Sequence, residues 1–189
     1  MDNTNSNRQA LEEQNAKTER NWIYHGKIIS LCSDHIEFSH KPAQKWDIVV
    51  HPGAVAILPI DSDGHVLLIK QWRRAAQKIM IEIPAGTLEP DEDPLICAQR
   101  ELQEETGYKS KKITHLGGFY TAPGFCTEYI ELYLAENLSE DPLEADDTEA
   151  IDLIRLSLED ALKLVDNHSI LDSKTITALL QYDRRRRQL

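Results

Sequence analysis

The chain has 189 residues, of which 41% are hydrophobic, and its formal net charge at pH 7 is −11. This length fits one domain with a small N-terminal appendage, and the hydrophobic fraction is sufficient for a buried core. So negative a protein repels phosphate backbones, which excludes long polynucleotides as the default partner. A small polyphosphate can still bind, because a divalent cation and a few arginines reverse the potential locally.

Cysteine usage and hydropathy predict where the protein works. Cys32, Cys97 and Cys126 are odd in number and form no CxxC pair, so we expect reduced thiols. The polar N-terminus lacks the apolar core of a signal peptide, and no later run is long enough to span a membrane. A soluble, cytoplasmic protein without a membrane partner is expected.

The first fifty residues divide into a polar segment and a β-rich segment. Residues 1–20 lack apolar periodicity, which is typical of a flexible tail or a marginal helix. Short strands are expected over three runs of apolar residues, 26–31, 35–39 and 46–50. We therefore predict a tail over 1–20, a small β subdomain over 21–50 and a main domain over 51–189.

The centre of the chain has clear turn and helix signals. Two β-rich runs, 54–60 and 65–71, flank Asp61-Ser62-Asp63-Gly64, whose turn chemistry predicts a β-hairpin. A strand over 78–83 is stopped by Pro84, and a sharp turn is expected at Ala85-Gly86. Next comes a helix of about thirteen residues, with Asp93 as N-cap, Pro94 at the first helical position and Gly107 just past the end.

The C-terminal third predicts further strands and then helices. Strands are expected over 113–120, 128–134 and 151–156. Two helices follow, one capped by Ser157 and ending near Asn167, the other capped by Ser173 and ending at Tyr182. Regular βαβ alternation is missing, so this order predicts an α+β fold with mixed sheets flanked by helices.

The central helix carries a group of carboxylates. Glu101, Glu104 and Glu105 stand at i, i+3 and i+4, so all three project from one face within reach of a shared ion. Like charges this close repel unless a cation lies between them, and hard oxygen ligands suit Mg²⁺ or Mn²⁺.

The opposite face of this helix is apolar. Leu95, Ala98 and Leu102 recur at helical spacing, so this face is expected to pack on a sheet and hold the glutamates toward a cleft. The alternative is a solvated acidic helix face, since Glu is also a good helix former.

The spacing of the whole segment favours a site over a solvated face. Gly86 is followed after five residues by Glu92 and, after seven more, by Arg100-Glu101-Leu102-Gln103-Glu104-Glu105-Thr106-Gly107-Tyr108. At roughly 6% per fixed residue, seven fixed positions would arise by chance with odds on the order of one in a million.

This segment resembles the box of the Nudix hydrolase family, and every fixed position matches; the one departure is Tyr108, where the pattern prefers an aliphatic residue. The resemblance implies a Nudix-type α/β/α sandwich with a mixed β-sheet. It also implies that Glu101 and Glu105, assisted by Glu104 and the Ala85 carbonyl, hold two or more Mg²⁺ ions, with Mn²⁺ as a substitute. Arg100 would orient a glutamate.

Segments outside the box resemble the ADP-ribose pyrophosphatase branch of this family. They are residues 51–57, 71–74 and 82–86, together with Pro123, sixteen residues beyond Gly107. The resemblance implies hydrolysis of the diphosphate of ADP-ribose to AMP and ribose 5-phosphate. Another nucleoside diphosphate sugar is an alternative substrate, whereas Pro123 argues against oxidised nucleoside triphosphates. A sensing domain that binds ADP-ribose without cleaving it is a further alternative, but such domains usually lose box glutamates.

The same resemblance implies substrate-binding residues. Arg73 and Glu82 would contact the phosphates or the terminal ribose, Trp46 would stack on adenine, and Pro123 lies in the loop typical of the branch. Each has a structural alternative: Arg73 at an exposed strand end, Glu82 paired only with Arg73, and Trp46 in the core.

The general base and the quaternary structure also follow only from the resemblance. The base would be Glu149, with Asp147 second, in an acidic loop whose alternative role is that of a solvated linker. The branch tends to form homodimers in which N-terminal strands help complete the partner's site, so we expect a homodimer.

Overall fold

The computed structural model describes residues 8–143 and 150–188, and these residues form two units. The N-terminal unit contains residues up to 52 and residues 122–128, and the main unit contains residues 53–121 and those after 128. Within the described ranges, no helix combines the length and the apolar character that crossing a bilayer requires.

The N-terminal unit is built on an antiparallel sheet of three strands in the order β1-β2-β3. Its elements are α1 (Arg8–Gln14), β1 (Lys17–His25), β2 (Ser30–Glu37) and β3 (Gln44–Val50). Residues 122–128 attach to β3, because the Val49 amide donates to the Phe125 carbonyl at 2.8 Å and the Thr127 amide donates to the Val49 carbonyl at 3.0 Å.

Strand boundaries in this unit differ from the sequence prediction. Residues 17–20 lie in β1 rather than in the expected tail, and α1 matches the alternative of a short helix. The strand predicted over 26–31 is wrong at its start, because Gly26 lies in the turn between β1 and β2. All nine residues of β1 are exposed. The strand therefore lacks the alternation of apolar and polar residues by which half-buried strands are predicted.

The described residues of the main unit form two sheets and three helices. Its strands are β4 (Ala54–Pro59), β5 (His65–Arg73), β6 (Lys78–Glu82), β7 (Ala85–Thr87), β8 (Tyr108–Tyr120), β9 (Tyr129–Glu140) and β10 (Ile151–Ser157). Its helices are α2 (Pro94–Thr106), α3 (Leu158–Asp166) and α4 (Ser173–Arg186). One sheet has the order β7-β4-β9-β8, with β4 and β9 parallel, and the other is antiparallel with the order β10-β5-β6.

Strand β4 lies at the centre of this unit, and all six of its residues are buried. Because side chains alternate across a strand, Ala56 and Leu58 join a core with α3 and α4, while Val55 and Ile57 join a core with α2. The four-stranded sheet therefore lies between helices on both faces. This arrangement confirms the predicted α+β fold and its α/β/α layers.

The hairpin predicted around residues 61–64 is wrong in its pairing. The turn forms, since the Asp61 carboxylate accepts hydrogen bonds at 2.9 Å from the amides of Asp63 and His65. However, β4 and β5 lie in different sheets, and Ile60 and Val66 form an isolated bridge and not part of a strand ladder. Both edges of β4 already pair, with β7 and β9, so no edge remains for β5.

Two smaller features also differ from expectation. Strand β7, which pairs with β4, was not predicted because three residues are too few for a periodic signal. Ser157 caps α3 as predicted, but α4 is capped by Asp172 rather than by Ser173 and extends to Arg186.

Candidate active site

Helix α2 begins and ends where local sequence signals place its ends. The Asp93 side chain accepts hydrogen bonds from the amides of Leu95 and Ile96, and Pro94 occupies the first turn. Gly107 closes the helix in the left-handed conformation, with φ of 76°. Both predicted ends are confirmed.

The buried face of α2 differs in part from the prediction. Ala98 and Leu102 are fully buried as expected, but Leu95 is 47% exposed and contributes little to the core. Cys97 takes its place at the start of the buried face. Burial raises the pKa of the Cys97 thiol to about 12, so this cysteine is an inert packing group.

The exposed side of α2 is organised by Arg100. Its guanidinium pairs with both oxygens of Glu92, at 3.0 and 3.1 Å, and donates from Nη1 to Glu101 at 2.7 Å and to Glu104 at 2.9 Å. The hydrogen bond from Arg100 lowers the pKa of Glu92 to about 2, and Glu92 in turn raises the pKa of Arg100. All three carboxylates are thereby held in fixed positions.

Strand β7 holds the remaining glutamate. The Ala85 amide donates to Glu105 Oε2 at 2.9 Å, which joins the strand to α2. Gly86 lies against Glu101 so closely that a Cβ on residue 86 would overlap the Glu101 carboxylate. The glycine of the box is thus required because a carboxylate occupies the space of a side chain.

A second group of potential ligands lies on the turn between β4 and β5. The ligand atoms of Asp61, Asp63 and His65 lie within 4.8 Å of one another. Arg155 forms ion pairs with both aspartates, and Asp63 is 68% exposed. Burial alone would raise the pKa of Asp61, but hydrogen bonds from Arg155 and two backbone amides lower it. This group therefore has its own cation.

Arg73 and Glu82, both predicted to contact substrate, pair with each other. Arg73 donates to both Glu82 oxygens at 2.8 Å, and Lys174 also donates to Glu82. Burial would raise the pKa of Glu82, but Arg73 and Lys174 lower it. The Glu82 side chain is 2% exposed and that of Arg73 is 39% exposed. This geometry favours the structural alternative for Glu82 and leaves Arg73 accessible.

Trp46 and Pro123, predicted to bind substrate, line one cavity of the N-terminal unit. The cavity has a volume of about 460 Å³ and includes Ile36 and Ile48 in its wall. Trp46 is 43% exposed, so the core alternative for this residue is wrong. The cavity has the size of a small-molecule site.

The predicted general base lies outside the described residues. Glu149 and Asp147 both belong to residues 144–149, for which the structure gives no placement. Their role stays a prediction.

Comparison with known proteins gives the family. A model of the NUDIX domain matches residues 50–179, which is more than half of the chain. The chain belongs to the Nudix family.

Similar proteins support the extent of this match. An ADP-ribose pyrophosphatase of Bacillus subtilis (strain 168) is 43% identical over 90% of this chain and 92% of its own length. A methanol dehydrogenase activator of Bacillus methanolicus is 42% identical over 89% of this chain and 91% of its own length. A solved structure of an ADP compounds hydrolase superposes with a TM-score of 0.80 and 22% identity, covering 89% of this chain and 92% of that chain, so it shares the Nudix fold.

Nudix proteins typically use a divalent metal ion, and the residues on α2 fit such an ion. Glu101 and Glu104 offer hard carboxylate oxygens, and their side chains are only 13% and 27% exposed. In this structure both carboxylates pair with the guanidinium of Arg100. The donor set of hard carboxylate oxygens fits a divalent metal ion.

Sequence reasoning missed three residues near this Nudix site. Lys174 and Thr175 in the first turn of α4 contact Glu82 and Ile83, immediately before β7. Asp172, the N-cap of α4, contacts both Lys174 and Thr175. The only local signal was an aspartate three residues before a threonine, as at a helix N-terminus. The contacts of Lys174 and Thr175 join residues about ninety positions apart in the sequence. Sequence patterns describe neighbours within a few positions, so they do not predict such contacts.

Proposed function

We propose that this Nudix protein hydrolyses the diphosphate linkage of ADP-ribose to AMP and ribose 5-phosphate, with Mg²⁺ as cofactor and Mn²⁺ as a substitute. The observation that carries the proposal is the complete set of box carboxylates, with Glu105 bonded to the Ala85 amide and Glu101 seated on Gly86. The similarity to an ADP-ribose pyrophosphatase along nearly the whole chain supports the choice of substrate.

The α2 carboxylates have separate parts in this proposal. Glu101, Glu104 and Glu105, with the Ala85 carbonyl, hold the metal ions. Arg100 keeps Glu101 and Glu104 in position, because its Nη1 contacts both. A bound divalent cation supplies charge neutralisation of the phosphate oxygens and a lowered pKa for the attacking water.

The reaction consumes one water molecule. The water oxygen bonds to one phosphorus of the diphosphate, the bridging P–O bond breaks, and each product leaves with one phosphate group. The proton of the water passes to a carboxylate, for which we propose Glu149, with Asp147 as the second choice.

Substrate contacts are proposed for both units separately. The cavity that Trp46 and Pro123 line has apolar and polar side chains in its wall and an exposed indole, which suits a stacked adenine. Arg73 is proposed to contact the phosphates or the terminal ribose through its exposed edge. Glu82, which is buried, is proposed to support Arg73 and not to contact substrate.

A homodimer is proposed from the exposed surface of the N-terminal unit. Trp22, Ile23 and Tyr24 on β1 and the neighbouring Ile28 and Ile29 are 43% to 57% exposed. Clustered apolar groups of this kind are typical of protein interfaces. Light scattering of the purified protein tests the dimer. A cytoplasmic location and the absence of nucleic-acid and membrane partners stay predictions from the sequence.

The test of the proposed function is a substrate screen with Mg²⁺. Release of AMP from ADP-ribose is compared with hydrolysis of NADH, ADP-glucose, GDP-mannose, diadenosine polyphosphates and 8-oxo-dGTP. We expect kcat/KM to be highest for ADP-ribose. Equal rates for all compounds, or a clear preference for another nucleoside diphosphate sugar, would contradict the proposed substrate. Binding of ADP-ribose without turnover would favour the sensing alternative.

A second candidate function is activation of an alcohol dehydrogenase. It is favoured by the relative named methanol dehydrogenase activator, which matches nearly the whole chain. The purified protein is added to a methanol dehydrogenase, and the dehydrogenase rate is measured with wild type and with Glu105→Gln. Activation by wild type alone would connect this function to hydrolysis, and no activation by either would reject it.

A further inference from the structure

The chain crosses from one sheet of the main unit to the other immediately before the proposed metal site. Strand β6 ends at Glu82 in the three-stranded sheet, and β7 begins at Ala85 in the four-stranded sheet. The connection is only Ile83-Pro84. Any displacement of these two residues is passed to the Ala85 amide and to Gly86, which contact Glu105 and Glu101.

Thr175 fixes this connection from α4. Its side chain is fully buried, and its hydroxyl accepts a hydrogen bond from the Ile83 amide at 2.8 Å. The same hydroxyl donates to the Asp172 carboxylate at 2.6 Å, so its orientation is set. Pro84 has no N–H, which makes the Ile83 amide the last backbone donor before Ala85.

Lys174 fixes the residue before the connection. Its side chain is 10% exposed, and its ammonium group donates to the buried carboxylate of Glu82 and to Asp172 at 3.0 Å. Glu82 receives Arg73 on its other side. A buried carboxylate with two cationic partners is strongly restrained, because moving it would leave charges uncompensated.

We propose that Thr175 and Lys174 are positioning residues that hold the β6–β7 connection and thereby set the Ala85 and Gly86 backbone against the metal-binding glutamates. This inference rests on the proposed metal site of the hydrolase. Residues that orient ligands without touching the metal commonly change its affinity by about 10 to 100-fold when they are replaced.

The test is Mn²⁺ binding to the substrate-free protein, measured by electron paramagnetic resonance. Thr175→Val keeps the shape of the side chain but removes the hydroxyl, and we expect its Kd for Mn²⁺ to rise about 10-fold. Thr175→Ser retains the hydroxyl and should restore binding to within about twofold of wild type. Lys174→Met, a second variant, should weaken binding about threefold or more.

Thr177→Val is the matched control. Thr177 lies half a turn further along α4, and its hydroxyl donates to the Ser173 carbonyl of the same helix. It should bind Mn²⁺ like wild type. Hydrogen exchange gives a readout without metal: the Ala85 amide should exchange faster in Thr175→Val than in either Thr175→Ser or Thr177→Val.

The outcomes separate this inference from the proposed function. A lower Tm for Thr175→Val with unchanged Mn²⁺ affinity and unchanged Ala85 exchange would overturn it, because Thr175 would then serve stability alone. Lack of Mn²⁺ binding by wild type would reject the proposed metal site itself. Weaker binding by both Thr175→Val and Lys174→Met, with binding retained in the serine and Thr177 variants, supports the positioning role.

Discussion

Two groups of carboxylates in the main unit each pair with one arginine, but their side chains are held differently. On α2, Arg100 contacts Glu92, Glu101 and Glu104, so carboxylates outnumber the cation. At the turn before β5, Arg155 of β10 forms ion pairs with Asp61 and Asp63. The turn is therefore closer to charge balance, whereas α2 keeps an excess of negative charge.

The two groups also differ in their contacts with other strands. The α2 glutamates contact β7, where the Ala85 amide donates to Glu105 and Gly86 has no side chain that would overlap Glu101. The turn group is open to solvent at Asp63. Both groups are acidic and close in sequence, so proximity in sequence alone does not distinguish them. We propose that the metal site is the group in which an excess of carboxylates is held rigidly by neighbouring elements.

The largest difference between the two groups is expected from neutralising one carboxylate in each. Glu105→Gln should lower kcat about 10³-fold while Tm changes little, because it removes a proposed metal ligand that is already exposed to the site. Asp63→Asn is the control on the turn. ADP-ribose turnover with Mg²⁺ and thermal unfolding are measured for both. Near-normal turnover by Glu105→Gln would reject the assignment of the metal site to α2.

A methyl group at residue 86 tests whether rigidity on β7 matters. Gly86→Ala should lower kcat about 10²-fold, because the added Cβ displaces the Glu101 carboxylate. Gly64→Ala on the turn meets open space but has φ of +82°, so it should cost about 1 kcal/mol of stability without changing kcat. Equal kcat values for the two variants would show that the close contact at Gly86 has no catalytic role.

Replacing the two arginines should give a smaller effect, with a defined pH dependence. Arg100→Met should lower kcat about 10-fold and destabilise the fold by about 1–2 kcal/mol at pH 7. The pKa of Glu92 is lowered from 4.5 to about 2, so its pairing stabilises the folded state above pH 4.5 and loses this effect as pH falls toward 2. The difference in unfolding free energy between wild type and Arg100→Met should therefore shrink between pH 4.5 and pH 2.

Urea unfolding at pH 7 and at pH 3 measures this effect. Arg155→Met is the control. The Arg155 side chain lies on β10 and is 47% exposed, so its replacement should leave kcat within twofold of wild type. A stability difference for Arg100→Met that is the same at both pH values would contradict the role of the Glu92 pair.

The smallest effect is expected on the turn itself. Asp63→Asn should change kcat less than about twofold and Tm by no more than a few degrees, because its ion pair with Arg155 is exposed. Mg²⁺ titrations of turnover should give the same half-activation concentration as wild type. A several-fold higher requirement for Mg²⁺ would show that the turn group also binds metal.

The sequence predicted the parts of the site that depend on local chemistry. Asp93 and Gly107 determine both ends of α2, and the spacing of Glu101, Glu104 and Glu105 places them on one face. Helix caps and helical spacing act over a few residues, so a sequence reveals them directly. The caps of α3 and most strand positions were predictable for the same reason.

The parts that were mispredicted depend on contacts between distant segments. Strand β5 does not pair with β4 as expected, because β7 and β9 pair with the two edges of β4. No sequence pattern near residues 61–64 indicates these pairings. The ion pair between Glu82 and Lys174 was not predicted, because Lys174 lies in a helix near the C-terminus, far from Glu82 in sequence. Leu95 follows helical spacing but lies in the first turn of α2, where its side chain is 47% exposed.

The most direct measurement of the proposed activity is phosphorus-31 NMR of ADP-ribose incubated with the wild-type protein and Mg²⁺. We predict that the diphosphate signals disappear and that two phosphomonoester signals, from AMP and ribose 5-phosphate, appear in equal amounts. The same sample with Glu105→Gln should retain the diphosphate signals over the same time. Diphosphate signals that persist with wild type, or that disappear equally fast with Glu105→Gln, would contradict the proposed function of the α2 site.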